Sequence, residues 1–571
     1  MESLRVLIMR ELESILKEKI PETLIKDVPP EIEGDYSLPA FPLAKAKGKN
    51  PKDLAVEIAS KIQDRKIRLF EKVEAKDGFV NFFLNPIFLA DSVLKEIQGC
   101  QVCYGAGPAR KSRIIVEHTS ANPDAPLHVG HLRNSIIGDS VARILRFAGY
   151  DVEVQFYVND MGGQLALLSL YLMKTDYRKD LSSSGLKPDA WLGEQYVRAN
   201  KEADEGFKER ARLLQQDYEK GGKKEVKDVF DFIIATSLNG FKGTFDSYGI
   251  AIDTFVRESQ FVFDGSVARL LKRLEKTKAW TKKNEVYCLD LEKYGIEKEL
   301  VLMRSDSTSL YTTRDLAYHL WKLERGDCIN VIANEQTLPQ AQLRAALDVL
   351  GVENAEKRVR HLSYELVQIP GMRMSSREGN FVSADDVLSE GSKRALAEIE
   401  KRELDIPANE KDGISKAVGM GAIKYNILKI APLKLINFRW AEALNFDGDS
   451  APYLQYSHAR ACRILEKAGK TPESKEVEPS KIEYANEERD LLRLLAEFPA
   501  TVDAAARDLK PNLIANYLYQ LAEAFNRFYF KCPVLDSKGG QKNFRVLIVS
   551  SAKQVLANGL GLLGIDALER M

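Results

Sequence analysis

The run from Glu117 to Gln164 constrains the fold more than any other part of the sequence. It reads as the end of a strand, a polar turn carrying Pro123 and Pro126, a helix opening at His128-Val129-Gly130-His131, and a second strand. Leu132, Ile136, Ile137, Val141, Ile144, Leu145 and Ala148 recur at helical spacing, and Gly149 ends the run. Val152, Val154, Phe156 and Val158 then alternate, as one face of a strand requires. The segment is a βαβ unit with polar groups at its first crossover.

The 571 residues are too many for one core and predict roughly three or four domains. Residues 1–105 read as a small α+β domain. It has a helix up to Ile20, a polar stretch with Pro29 and Pro30, a helix from Pro51 to Ile62 capped by Asn50, and a strand over 79–84. After Gln164 a charged helical region runs to about Tyr248, broken by Ser182–Gly185 and by Gly221–Gly222, and reads as an insertion on the sheet. The sheet resumes at 329–333, followed by a helix over 338–350, a strand over 362–369 and a loop over 370–380. Two such halves predict a doubly wound parallel sheet, Rossmann-like, with its ligand outside the carboxyl ends of the strands. The loops 119–131 and 370–380 both follow strands and are expected to meet over one ligand. Beyond Asp385 successive broad apolar helical faces predict an all-α bundle. The expected architecture is multidomain α/β plus α: 1–105, 106–400 with insertions at about 165–305, and 401–571.

Basic and acidic residues balance at 83 each, so a polyanion must be met by local basic surface. Six scattered cysteines suit a reducing compartment, and no stretch of 18 apolar residues occurs, so a cytoplasmic protein without a membrane segment is expected. Cys100 and Cys103 have metal spacing but lack a second pair nearby, and no structural metal is expected.

His128 and His131 share one face at a helix N-terminus, which suits phosphate, and Gly130 between them leaves room for close approach. Taken alone the pair is equally a satisfied structural feature. The longer pattern EHTSANP..PLHVGHLRNSIIGD..AR.L...GY.V...YVND.G.Q, however, resembles the ATP-binding signature of class I aminoacyl-tRNA synthetases in the form found in the arginyl-tRNA synthetases. The resemblance extends through GDYSLPAFPLAK, the loop MRMSSREGNFV, the helical YLQYSHAR and the terminal LLGIDALERM.

That resemblance implies ATP-dependent ligation of arginine to tRNA through an arginyl-adenylate, with ATP arriving as its magnesium complex and activation waiting on bound tRNA. It implies that His128, Gly130 and His131 hold the nucleotide and that Glu117, Ser120 and Asn122 face the ammonium and carboxylate of the amino acid. Glu258, Tyr311, Asp315 and Gln336 fall at the positions that read the guanidinium, a planar group with five donors that demands acidic partners. Tyr311 or Asp315 taken singly also reads as a surface strand residue. The second signature departs from the common Lys-Met-Ser-Lys-Ser. Here it reads Arg373, Met374, Ser375, Ser376, Arg377, and the lysine that compensates in some relatives is replaced by Ala125. Charge on pyrophosphate then falls to Arg373, Arg377 or another cation. In the C-terminal helices Tyr453, Tyr456, His458 and Arg460 are candidates for tRNA contact, though an aromatic stripe at that spacing also describes a core. A monomer is expected. The competing readings are a non-catalytic tRNA-binding relative and a zinc hydrolase built on His118, His128 and His131.

Overall fold

The computed structural model describes residues 3–28, 33–283, 286–303, 309–368, 382–404 and 406–571. Its centre is a five-stranded parallel sheet of β1 (Arg113–Glu117), β2 (Asp151–Val158), β3 (Thr254–Arg257), β4 (Asp327–Ala333) and β5 (Val359–Tyr364), in the order β5-β4-β1-β2-β3. The strand order reverses direction between β1 and β4, so the turns leaving these two strands diverge and open a crevice at their carboxyl ends. In register, Glu117 at the end of β1 is flanked by Asn330 of β4 and by Gln155 of β2.

The helix α1 (Val129–Phe147) crosses from β1 to β2, and the apolar positions expected to face the sheet are all buried. Gly149 ends it at φ +90°, where a Cβ would lie 2.0 Å from the carbonyl oxygen of Pro108. Only glycine fits there. On the far half, α2 (Tyr311–Leu323) precedes β4 and α3 (Thr337–Val349) follows it. The residues around Tyr311 and Asp315 are thus helical, and the strand alternative is set aside.

Between β2 and β3 the chain is helical: helices span Gly163–Leu172, Tyr177–Ser184, Pro188–Glu202, Glu205–Glu219 and Lys224–Ser247. Left-handed Gly185, Gly221 and Gly222 sit at the expected breaks. Two features differ from the sequence reading. The sheet resumes at β3, well before residue 329, and a small antiparallel sheet of Trp280–Lys283, Val286–Leu289 and Leu300–Met303 follows it. Strands of four residues are too short to display a period, and these lie among charged neighbours.

The N-terminal part is a four-stranded sheet with helices, including Pro51–Asp64, whose cap Asn50 accepts from the Lys52 N–H at 2.9 Å. It packs against the C-terminal bundle: the Tyr36 hydroxyl donates to Glu497 at 2.7 Å, and Arg489 pairs with Glu71 at 2.5 Å. That bundle contains α4 (Ala451–Ala468), α5 (Asn486–Asp508), α6 (Pro511–Lys531) and α7 (Gly539–Leu562).

Candidate functional site at the switch point of the sheet

The chain leaves β1 through two left-handed residues, Thr119 at φ +70° and Ser120 at φ +42°. Such backbone is costly outside glycine and survives only where neighbours fix it. They do: the Thr119 N–H donates to Asn134 at 2.8 Å, and its hydroxyl meets Ser135 at 2.6 Å and His118 Nδ1 at 2.8 Å. His118 is buried against Gly138, where a Cβ would lie 2.4 Å from its ring, and burial holds its pKa down at about 4. It is part of the turn's scaffold.

His128 caps α1. Its Nδ1 accepts from the Gly130 N–H at 3.1 Å, while its own N–H donates to His131 Nδ1 at 3.4 Å. The two rings stack with centroids 3.8 Å apart. Burial lowers both pKa values, and His131, depressed further by His128, falls to about 3. Both imidazoles are therefore neutral near pH 7. With each Nδ1 accepting a backbone proton, the ring proton sits on Nε2, leaving two N–H donors at the positive end of a helix. A Cβ on Gly130 would lie 2.9 Å from the His128 ring, so this residue keeps the cap closed as well as the approach open.

Beside this turn lies a cavity of about 310 Å³, whose wall includes Ser120, Asn122, Glu258, Tyr311, Asp315 and Gln336. Residues from well-separated stretches of sequence are brought together there. Glu258, first residue of the short helix after β3, is buried, and its carboxylate lies 2.9 Å from the Arg314 guanidinium. Burial pushes its pKa up to about 7 even though Arg314 opposes the shift. Asp315 is raised by burial but pulled net below its usual range by His319 and Lys322. Tyr311 opens α2 with most of its surface exposed, and Gln336 is exposed on the turn after β4. Asn122 bonds Gln164 at 2.8 Å and Asn159 at 3.2 Å.

Glu117 departs from expectation. It lies behind the cavity wall: one oxygen accepts from Lys322 at 2.7 Å and the other from the Ser120 hydroxyl at 3.2 Å. Ser120 in turn accepts from the Tyr157 N–H at 3.1 Å. Sequence reasoning also missed Tyr157, which lines the cavity with a buried hydroxyl that has no hydrogen-bond partner among the described residues. Lys322, His319 and Asn330 behind the wall were missed too. Asp315, His319 and Lys322 recur at i, i+4 and i+7 of α2, so a polar stripe on an otherwise buried helix face was the available signal.

Arg373, Ser375, Ser376 and Arg377 lie outside the described residues. The described chain on either side of them is tied to α1. Downstream, Ser383 bridges His128 and the Ala384 N–H donates to the Leu127 carbonyl at 2.7 Å. The wholly buried Arg133 of α1 donates to four carbonyls, two upstream, Glu365 at 2.5 Å and Leu366 at 2.8 Å, and two farther downstream, Pro432 at 3.0 Å and Lys434 at 2.9 Å.

On the bundle, Tyr456 and Arg460 of α4 line a second cavity of about 580 Å³ with Arg463, Lys467, Tyr529 and Phe530. The Arg460 guanidinium lies 4.8 Å from the Tyr456 ring and 5.2 Å from the Tyr529 ring, and Phe530 is 89% exposed. Tyr453 packs on Tyr519. His458 is corrected: it is 2% exposed, and its Nδ1 contacts the Leu568 carbonyl at 2.8 Å, so it presents no surface to a ligand. Among the described residues no three His, Cys, Asp or Glu side chains are disposed to hold a metal ion.

Comparison with known proteins agrees with this geometry. Residues 95–440 match the catalytic domain of class I tRNA synthetases (R), residues 454–571 the DALR anticodon-binding domain, and residues 2–84 the arginyl-tRNA synthetase N-terminal domain. The chain is 40% identical to an arginine–tRNA ligase of Methanocaldococcus jannaschii, covering 98% of each, and 42% identical to one of Methanothermobacter thermautotrophicus, covering 97% of this chain and 96% of that one. A solved structure of Thermus thermophilus arginyl-tRNA synthetase superposes with a TM-score of 0.84 over the whole of both chains at 30% identity.

Proposed function

The chain belongs to the arginyl-tRNA synthetase family of class I, and we propose that the cavity at the switch point of its sheet is where arginine is bound and activated. The protein is an ATP-dependent arginine–tRNA ligase. In that reaction the arginine carboxylate attacks the α-phosphorus of ATP, pyrophosphate leaves, and a terminal ribose hydroxyl of tRNA takes the arginyl group from the adenylate.

The chain's part in such a displacement is positioning and charge stabilisation. The two neutral imidazoles of His128 and His131 aim Nε2–H donors at the phosphate oxygens and need no proton transfer to do so. Asp315 and Glu258 receive the guanidinium, with Tyr311 and Gln336 closing over it. Ser120, its hydroxyl proton given to Glu117, keeps a lone pair for the substrate ammonium, and Asn122 meets the carboxylate end. Glu117 acts through Ser120. Arg373 and Arg377 carry the charge that develops on pyrophosphate, beside Ser375 and Ser376. ATP enters as its magnesium complex. The N-terminal domain and the Tyr456–Arg460 surface hold tRNA, and the enzyme works as a cytoplasmic monomer.

The observation that carries this assignment is the convergence of Ser120, Asn122, Glu258, Tyr311, Asp315 and Gln336 on one cavity beside the capped histidine pair. ATP–pyrophosphate exchange measured with arginine, lysine and citrulline, each with and without tRNA, tests it. Exchange should require both arginine and tRNA. Robust exchange without tRNA removes the tRNA-dependent step, and comparable exchange with citrulline removes the acidic pocket.

A further inference from the structure

Behind the cavity wall, one buried ammonium connects the groups at the two ends of the cavity. Lys322 is 0% exposed and Asn330, its neighbour on β4, is equally buried. The Lys322 ammonium donates to Glu117 at 2.7 Å and to Asn330 Oδ1 at 3.0 Å. The Asn330 amide then meets His319 Nε2 at 2.8 Å and Gln340 Oε1 at 2.9 Å. His319 Nδ1 lies 3.1 Å from the Asp315 carboxylate and 2.9 Å from the Asp315 carbonyl. These contacts admit one consistent assignment of protons. Lysine only donates, so Asn330 Oδ1 accepts, its two amide protons go to His319 and Gln340, and His319 carries its proton on Nδ1, toward Asp315. Every donor points away from Lys322, toward Glu117 on one side and through Asn330 and His319 to Asp315 on the other.

We propose that Lys322 is a positioning residue that holds both ends of the arginine cavity from behind, Ser120 through Glu117 and Asp315 through Asn330 and His319, and so fixes the length of guanidino amino acid that is accepted. The proposal rests on the reading of Asp315 as the guanidinium partner. Buried hydrogen-bond networks of this kind are rigid, because each bond constrains the next and an unmatched buried group is costly. The titratable groups that interact with Glu117 include Lys322 and Tyr318 from α2, Tyr157 from β2 and Cys328 from β4. Burial raises the two phenols and the thiol, and among the described residues the ion pair that Glu117 forms is with Lys322.

The test is tRNA charging by the full-length enzyme, with KM for arginine and for ATP and the kcat/KM ratio of arginine over homoarginine, one methylene longer. Asn330→Ala leaves the Lys322–Glu117 pair in place and breaks only the path to Asp315. It should raise the arginine KM about tenfold, leave the ATP KM unmoved and lower the selectivity ratio by a similar factor. Lys322→Met, which removes the donor to both Glu117 and Asn330, should raise the arginine KM at least as far and leave the ATP KM unmoved. Asp315→Asn is the reference. An unchanged arginine KM and selectivity in Asn330→Ala, while Asp315→Asn raises the KM, overturns the inference. An unchanged KM in Asp315→Asn would instead overturn the reading of the cavity.

Discussion

The Arg314 guanidinium lies 2.9 Å from the Glu258 carboxylate and 3.6 Å from that of Glu219, so an acid lining the cavity at the switch point already has a guanidinium beside it. Glu219 ends a helix of the insertion, which ties that insertion to the pocket. The pair does not hold Glu258 in its ordinary range: burial dominates and pushes the carboxyl up to about 7.

If Glu258 receives the guanidinium as proposed, its ionised form attracts the substrate, so kcat/KM for arginine should climb as pH rises through about 7, and Glu258→Gln should remove that inflection. The loss at pH 8 should be about 1.5–3 kcal/mol. The stability effect has the opposite sense. The folded state holds this proton more tightly than the unfolded chain, so the contribution is complete below about 4.5 and is lost as pH rises through about 7. Rate profiles and denaturant midpoints, taken from below the ordinary carboxylate range to well above neutrality, check both.

His131→Ala should lower the rate of adenylate formation by about 10²–10³ if its Nε2–H stabilises charge in the transition state. Loss of the reciprocal cap should also cost about 1 kcal/mol of stability. Because burial keeps both histidines neutral down to acid pH, neither should contribute an inflection near neutrality. Pre-steady-state adenylate formation in the parent and in His131→Ala, measured across pH, checks this. An imidazole inflection that disappears in the variant would contradict it.

Arg133→Met should leave four carbonyls short of a donor and destabilise by about 3–5 kcal/mol. Arg133→Lys should rescue only in part, since an ammonium has three protons and no planar fork. Calorimetry should show a lowered transition that broadens or splits, because the residue joins α1 to segments 365–366 and 432–434.

On the bundle, Tyr456→Ala and Arg460→Ala should each weaken tRNA binding by about 1–3 kcal/mol while leaving the ATP KM unchanged. His458→Ala should lower the melting temperature and spare tRNA affinity, since the side chain is buried against Leu568. Filter binding and melting curves on the three variants separate these outcomes.

What the sequence made legible depended on length of pattern. Leu132 through Ala148 repeat over about five turns and Val152 through Val158 keep a strict alternation, so the first crossover could be read directly. The strands Thr254–Arg257 and Trp280–Lys283 are too short to show a period; the first emerges as the partner of the longer β2, the second as the partner of the equally short Val286–Leu289. At the site, Ser120, Asn122, Glu258, Tyr311, Asp315 and Gln336 came through resemblance, because no local pattern says that such distant stretches share a cavity. Lys322 and Asn330 escaped because a buried polar residue in an apolar run looks like an interruption. Glu117, expected to face the amino acid, stands behind the cavity wall, bonded to Ser120 and Lys322. Its distance from the cavity depends on the turn at Thr119 and Ser120, whose left-handed backbone no composition reveals.

The Arg133 cradle has a consequence for the order in which the molecule fails. Its four acceptors are all carbonyls, so acid has nothing there to protonate. On acidification α1 and the segments 365–366 and 432–434 should therefore stay bolted together, as the last piece to unravel.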